Sequence, residues 1–379
     1  MIRANETADV IVVGGGVIGL SVARALAGRR IASVMLIERG GLGAEASFAA
    51  AGMLAPQAEA DRADDFFHLA CQSRGMYSAF GAALKEETGT DIELDTTGTI
   101  YLAFNEHDLQ EIEQRYEWQT RAGLPVEKLS GKEVAALEPC IAENVRAALK
   151  FPLDGQVENR RLLVALATAN ERVGVRVVTG TTVESLRIEK DSITGVETSR
   201  GFVTTEKVVI AAGVWTNFIK AQGTRNLSIQ PVRGQMVCFE TNPRIAQHVI
   251  YSPRGYIVPR RDGRLLAGST TEQAGFDKRV TASGVHSILS HALEISPRIA
   301  SLPLIDSWAG LRPRAGDNLP VLGPAAGIDG LFFATGHYRN GILLAPVTGE
   351  LIAGLIVDNV VSPWFESFAP DRFDPVGVH

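Results

Sequence analysis

Three glycines in the spacing Gly14-x-Gly16-x-x-Gly19, followed by an acid at Glu38, are arranged to hold the pyrophosphate and one ribose of a dinucleotide. Without side chains the turn can be tight, the backbone can approach the pyrophosphate, and the following helix can pack closely on its sheet. Val17 and Ile18 open that helix, whose positive N-terminal end then faces the phosphates. Glu38 can accept hydrogen bonds from ribose hydroxyls and would repel a 2′-phosphate, which argues against NADP; Arg39 stands beside it.

A glycine loop of this kind serves NAD and FAD alike, and three further segments separate the two. Residues 43–53 include Ser47, Ala51, Gly52 and Met53, a stretch of small residues and exposed backbone donors suited to a long, extended cofactor. An apolar run beginning at Val208 ends in the small turn Ala212-Gly213-Val214-Trp215, fit to approach a ligand already seated on the first loop. Val183, at the start of a separate strand-like run, is grouped with the cofactor residues. The segment Gly336-His337-Tyr338-Arg339-Asn340-Gly341-Ile342-Leu343 sets a backbone-rich turn ahead of an apolar helix, whose N-terminal end can stabilise a reduced, anionic flavin ring. Together these segments favour FAD.

The elements that must carry these residues are legible in outline. Residues 9–13 read as a buried parallel strand, 14–16 as a turn, 17–27 as a helix and 33–37 as a second strand, which completes a βαβ unit. Residues 159–173 have helical periodicity, and alternating segments at 175–179, 183–189, 193–198 and 202–210 read as a meander that feeds back into the sheet. Helical patterns at 66–88 and 107–122, with strand patterns at 98–104 and 230–267, predict a second, mainly antiparallel unit inserted into the first. A short strand at 331–334 and an apolar helix at 344–357 return the chain to the first unit.

A length of 379 residues exceeds what one hydrophobic core usually supports, so two packed units are expected. The charge of −6 gives no pull toward nucleic acid or anionic membranes, which leaves small molecules as the expected partners. The apolar stretch 10–23 is broken by glycines and falls short of the roughly 20 residues a membrane span needs. A short polar start without secretory features predicts a cytoplasmic protein. Cys71, Cys140 and Cys238 are odd in number and widely spaced, as reduced structural thiols would be, so no metal site is expected.

At these residues the chain resembles the D-amino-acid oxidase superfamily, and within it the glycine oxidases that serve thiamine biosynthesis. The resemblance extends to Gly255-Tyr256-Ile-Val-Pro-Arg260, Gly268-Ser-Thr-Thr-Glu272, the block from Trp308 through Arg312 and Asp317 to Gly323, and the turn from Gly336 to Pro346. It implies a two-domain α/β fold: a Rossmann-type, glutathione-reductase-like FAD domain made of 1–85, 146–222 and 306–379, with an inserted α+β antiparallel-sheet substrate domain made of 86–145 and 223–305. It also implies oxidation of a small amine bearing a carboxylate (glycine, sarcosine or a small D-amino acid) to an imine, then a keto acid and ammonia, with oxygen reduced to hydrogen peroxide. A related oxidase or dehydrogenase with a larger substrate, and a noncatalytic flavoprotein subunit, are the competing readings. A homo-oligomer, dimer or tetramer, follows by analogy alone.

The same resemblance assigns Arg312 to the substrate carboxylate, whose two oxygens a planar guanidinium matches. It makes Tyr256 a hydroxyl donor and Arg339 a second cation near the carboxylate or the ring. In the family the α-hydrogen leaves as hydride directly to the flavin, so His337 and His248 are expected to pack or hydrogen-bond rather than act as bases. Glu272 and Asp317 are expected to pair with arginines such as Arg260, Arg314 or Arg279. Relatives that attach flavin covalently use a cysteine near the ring; no cysteine follows Cys238, so FAD is expected to bind noncovalently.

Overall fold

Strands Val10–Val13, Val34–Ile37 and Val208–Ile210 are apolar at every position because both of their faces are covered. In a computed structural model, which describes residues 6–29, 31–221 and 227–373, they form the centre of a six-stranded sheet. Its order is Val321–Pro324, Leu331–Thr335, Val208–Ile210, Val10–Val13, Val34–Ile37, Arg176–Val178, parallel throughout except for the first pair. Strands from the beginning, middle and end of the chain thus share one sheet, as the sequence pattern predicts.

Helices Val17–Gly28, Gly341–Asp358 and Asp65–Thr88 pack together in the core on one side of this sheet. A Cβ on Gly349 would lie 2.8 Å from the Ser21 carbonyl oxygen, so glycine there lets the first two helices approach closely. Pro346 sits inside the later helix and cannot donate to the Ile342 carbonyl. The Tyr77 hydroxyl donates to that carbonyl instead, and the Ser73 hydroxyl donates to the Leu343 carbonyl at 2.6 Å. Gly341–Asp358 is long and apolar enough to cross a bilayer, yet 67% of its most apolar window is buried inside the protein.

Segments 183–189 and 193–198 form the predicted meander, in a separate four-stranded sheet with Gly201–Thr204 and Glu6–Thr7. Two expectations there are corrected. Residues 175–179 supply an edge strand of the six-stranded sheet rather than part of the meander, and 202–210 is two strands in two sheets, divided after Thr204.

The second large sheet has eight strands in the order Leu304–Arg314, Gln230–Glu240, Arg264–Gly268, Tyr256–Pro259, Val249–Tyr251, Thr99–Ala103, Ala147–Phe151, Glu127–Ser130. All pairs are antiparallel except Val249–Tyr251 with Thr99–Ala103. The sheet runs across the expected boundaries at 145/146 and 305/306, since Ala147–Phe151 and Leu304–Arg314 are among its strands; the expected boundary at 222/223 lies outside the described residues. Its tie to the first unit includes Arg260, which is buried and donates to Gln156 Oε1 and the Val157 carbonyl at 2.8 Å and to the Ala51 carbonyl at 2.8 Å. Burial pushes that guanidinium down to about 10.

Candidate active site

A cavity of about 780 Å³ runs from the C-terminal ends of strands Val10–Val13 and Val34–Ile37 to the face of the eight-stranded sheet that carries Met236 and Arg312. A crevice beyond the carboxyl ends of parallel strands is the usual ligand position in such folds.

At one end the glycine loop behaves as its spacing requires. Gly14 has φ +113°, and a Cβ there would lie 2.4 Å from the Ala211 carbonyl oxygen. A Cβ on Gly19 would lie 1.9 Å from the Gly14 carbonyl oxygen. The helix begins at Val17 without a side-chain cap from Gly16, and the Val17 N–H donates to Ser47 Oγ at 3.0 Å. Glu38 accepts from the Gly15 and Gly40 N–H groups at 2.7 Å each, which fixes the carboxylate beside the loop. A helix start whose N-cap glycine offers no side chain, glycines that leave no room for side chains and an anchored acid fit the pyrophosphate and ribose of FAD.

The same cavity is lined by Gly14, Gly16, Val17, Ile18, Glu38, Arg39, Ser47, Ala51, Gly52, Met53, Val183, Ala212, Gly213, Trp215, His337, Arg339, Asn340, Gly341 and Ile342. Two of the residues grouped with these from the sequence do not face it. Gly19 packs against Gly14 from behind, and the Leu343 side chain is buried in the helical core. Both support the lining rather than form it.

Three arginines face the cavity, Arg39 beside Glu38 and Arg312 and Arg339 toward the other end, and their partners distinguish them. Arg39 pairs with Glu45 at 2.9 Å, and the exposed Arg339 pairs with Glu59 at 3.4 Å. Arg312, half-buried on strand Leu304–Arg314, has no carboxylate partner among the described residues. Its guanidinium donates to Ser269 Oγ at 2.8 Å and the Thr270 carbonyl at 3.0 Å, and it lies across Gly234, where a Cβ would fall 2.3 Å from it. A guanidinium has five N–H donors, so the fork is held in place with donors to spare. Tyr256 lines the same cavity, its hydroxyl 3.4 Å from Met236 Sδ.

Glu59, which also accepts from the Tyr251 hydroxyl at 2.8 Å, and the aromatic pair Phe218 and Phe276 stand on the cavity wall without a signal in the sequence. An isolated acid six residues after Met53 carries no motif, and the two phenylalanines meet only in the fold. The structural pairing expected of Glu272 and Asp317 is found, with different partners: Glu272 binds Arg233 at 2.5 Å and Asp317 binds Arg372 at 2.7 Å. Arg233 is brought to Glu272 by a local strand bridge, and Arg372 comes from the C-terminal segment, so neither partner was visible as a sequence neighbour.

His248 is buried with Nδ1 2.6 Å from Glu138 Oε1 and does not line the cavity. His337 does, but it is buried, its Nε2 3.0 Å from Thr348 Oγ1, and burial pushes it down to about 3. A ring this weakly basic is neutral at neutral pH and a poor proton acceptor. Because its folded-state value lies below the ordinary 6.5, the unfolded chain binds the extra proton between these values. The His337 contribution to stability is therefore fully present above about pH 6.5 and is lost as pH falls toward 3. Comparing thermal midpoints at pH 7.5 and 5, His337→Gln is expected to lose less than wild type; an equal loss would contradict a neutral buried ring.

Fold and cavity together define a dinucleotide-binding α/β oxidoreductase with a cation set at the reactive end. The family model described as FAD dependent oxidoreductase matches residues 9–355, and the chain belongs to that family. FAD is its cofactor. The chain is 39% identical to a glycine oxidase of Geobacillus kaustophilus over 92% of each chain. The crystal structure of glycine oxidase from that organism superposes with a TM-score of 0.93 at 37% identity, covering 98% of this chain and all of the other. It is also 34% identical to the bifunctional protein ThiO/ThiG of Synechocystis, over 97% of this chain and 54% of that one.

Proposed function

We propose that the protein oxidises glycine, or an amino acid of similar size such as sarcosine or a small D-amino acid, to the imine, with oxygen as electron acceptor and hydrogen peroxide as product. Water then releases the keto acid and ammonia, or methylamine in place of ammonia when the substrate is sarcosine. The observation that carries this reading is Arg312, a cavity-facing guanidinium held by neutral groups and left without a carboxylate partner among the described residues. The names of the glycine oxidase relatives support the substrate, and the ThiO/ThiG relative supports use of the imine in building the thiazole of thiamine.

Bound FAD would take the α-hydrogen of the amine as hydride. Gly14, Gly16, Val17 and Ile18 would meet the pyrophosphate, with Ser47 at the helix start, and Glu38 the ribose. Arg39, Val183, Ala212, Gly213 and Trp215 would line the adenosine side, and Ala51, Gly52, Met53, His337, Asn340, Gly341 and Ile342 the flavin side. Arg312 would bind the substrate carboxylate in two hydrogen bonds and Tyr256 would close over it, so that the α-carbon is oriented rather than deprotonated by a side chain. Arg339, already paired with Glu59, would set the charge at the mouth. The unit built on the six-stranded sheet would hold the cofactor and the unit built on the eight-stranded sheet the substrate, with the site between them, in a cytoplasmic homo-oligomer.

A panel of glycine, sarcosine, D-alanine, D-proline and longer amines, read by oxygen consumption and peroxide release, tests this. The highest kcat/KM is expected among the first three. Turnover confined to longer amines would overturn the substrate, and no turnover with any amine would overturn the reaction.

A further inference from the structure

Residues 269–281 link strand Arg264–Gly268 to helix Ala282–Ile295, and their backbone and their outward side chains are held very differently. The backbone is fixed to the eight-stranded sheet at several points along the segment. Buried Arg233 binds Glu272 at 2.5 Å and donates to the carbonyls of Asp277 and Arg279 at 3.4 and 3.2 Å, while Gln235 donates to Glu272 at 2.7 Å. The side chains at 276 and 278, between these anchors, instead reach residues of the cavity wall. Phe276, 45% exposed, sets its ring 5.3 Å from Phe218 and 6.3 Å from Trp215. Two residues further, Lys278 Nζ lies 2.8 Å from Glu45 Oε2.

These contacts close on themselves. The other Glu45 oxygen is 2.9 Å from Arg39, and the Arg39 guanidinium lies 3.7 Å over the Trp215 ring, which leads back to Phe276. Arg39, Glu45, Trp215, Phe218 and Phe276 all line the cavity, on the side of Glu38. Each link is of a kind that opens easily: exposed ion pairs and exposed cation–π contacts are individually weak. The backbone, held by buried Arg233 at Asp277 and Arg279, would stay in place while these side-chain links open.

We propose that residues 274–280 form a clasp over the adenosine half of FAD, with Phe276 as its aromatic face and the Lys278–Glu45 pair as its latch. The clasp governs how fast FAD leaves. It rests on FAD lying along the cavity with its ribose at Glu38, as proposed above.

The test dilutes the holoenzyme and follows flavin fluorescence as FAD is released. Phe276→Ala is expected to speed release about tenfold and Lys278→Ala about threefold, the sizes expected for losing an aromatic contact and an exposed ion pair. Added sodium chloride should speed release from wild type more than from Lys278→Ala, because salt weakens a latch that the variant lacks. Release within twofold of wild type for both variants would overturn the clasp while leaving the FAD site intact. A drop in oligomeric mass for Phe276→Ala with unchanged release would also overturn it, by giving the aromatic pair to a contact between copies. Wild-type protein unable to bind FAD would instead sink the placement of FAD on which the clasp rests.

Discussion

Arg312→Ala is expected to raise KM for glycine by about two to three orders of magnitude, because losing one member of a charged, two-bond contact in a desolvated site costs about 2–5 kcal/mol. The direction follows from the partners of the side chain. Were Arg312 paired with an acid of the protein, as Arg339 is with Glu59, its removal would leave a stranded carboxylate and a damaged fold. Among the described residues it donates to Ser269 Oγ and the Thr270 carbonyl, both near solvent or cavity, so the variant should fold and keep FAD. Arg312→Lys should fall between, since an ammonium supplies charge without the planar fork. The measurement is stopped-flow flavin reduction over a range of glycine concentrations, with the flavin absorbance as a check on cofactor content. A KM within threefold of wild type would remove Arg312 from the substrate site. The same experiment on His337→Ala should still show reduction by substrate, as a ring held neutral by burial donates no essential proton transfer.

Arg312 also shows how far the sequence carried the site. Its position in the Trp308-to-Gly323 block placed it by resemblance, but residue type alone could not exclude an ordinary ion pair, which is the fate found for Arg39 and Arg339. That exclusion needed Gly234 and Ser269, residues 78 and 43 positions away that the antiparallel pairing brings to the guanidinium. The βαβ unit was legible because its signals are local: apolar runs, a glycine turn and an acid within thirty residues. The split of 202–210 was hidden because Gly201–Thr204 and Val208–Ile210 have similar β-forming composition and differ only in which sheet receives them. Glu59 and the Phe218–Phe276 pair were hidden for the same reason, as their meaning comes from neighbours distant in the chain.

Gly14→Ala and Gly19→Ala are expected to yield protein that retains under about a tenth of the wild-type FAD, with a Kd raised at least about hundredfold, equivalent to about 2.7 kcal/mol. At Gly14 the φ of +113° is one that alanine rarely adopts, and the new methyl would sit 2.4 Å from the Ala211 carbonyl oxygen. At Gly19 it would sit 1.9 Å from the Gly14 carbonyl oxygen, so the helix and the turn must separate. Strain of either kind amounts to about 1–3 kcal/mol and is relieved most readily by rotating the loop, which re-aims the N–H groups meant for the pyrophosphate. Gly28→Ala is the control, since a Cβ there meets nothing within 4 Å and the residue ends the same helix. Absorbance at the flavin band gives FAD content, and thermal unfolding of the apoproteins separates a lost site from a lost fold. If Gly19→Ala bound FAD like wild type, the close approach of helix and turn would not be what the cofactor requires. If Gly28→Ala lost FAD as well, the effect would belong to the helix rather than to the loop.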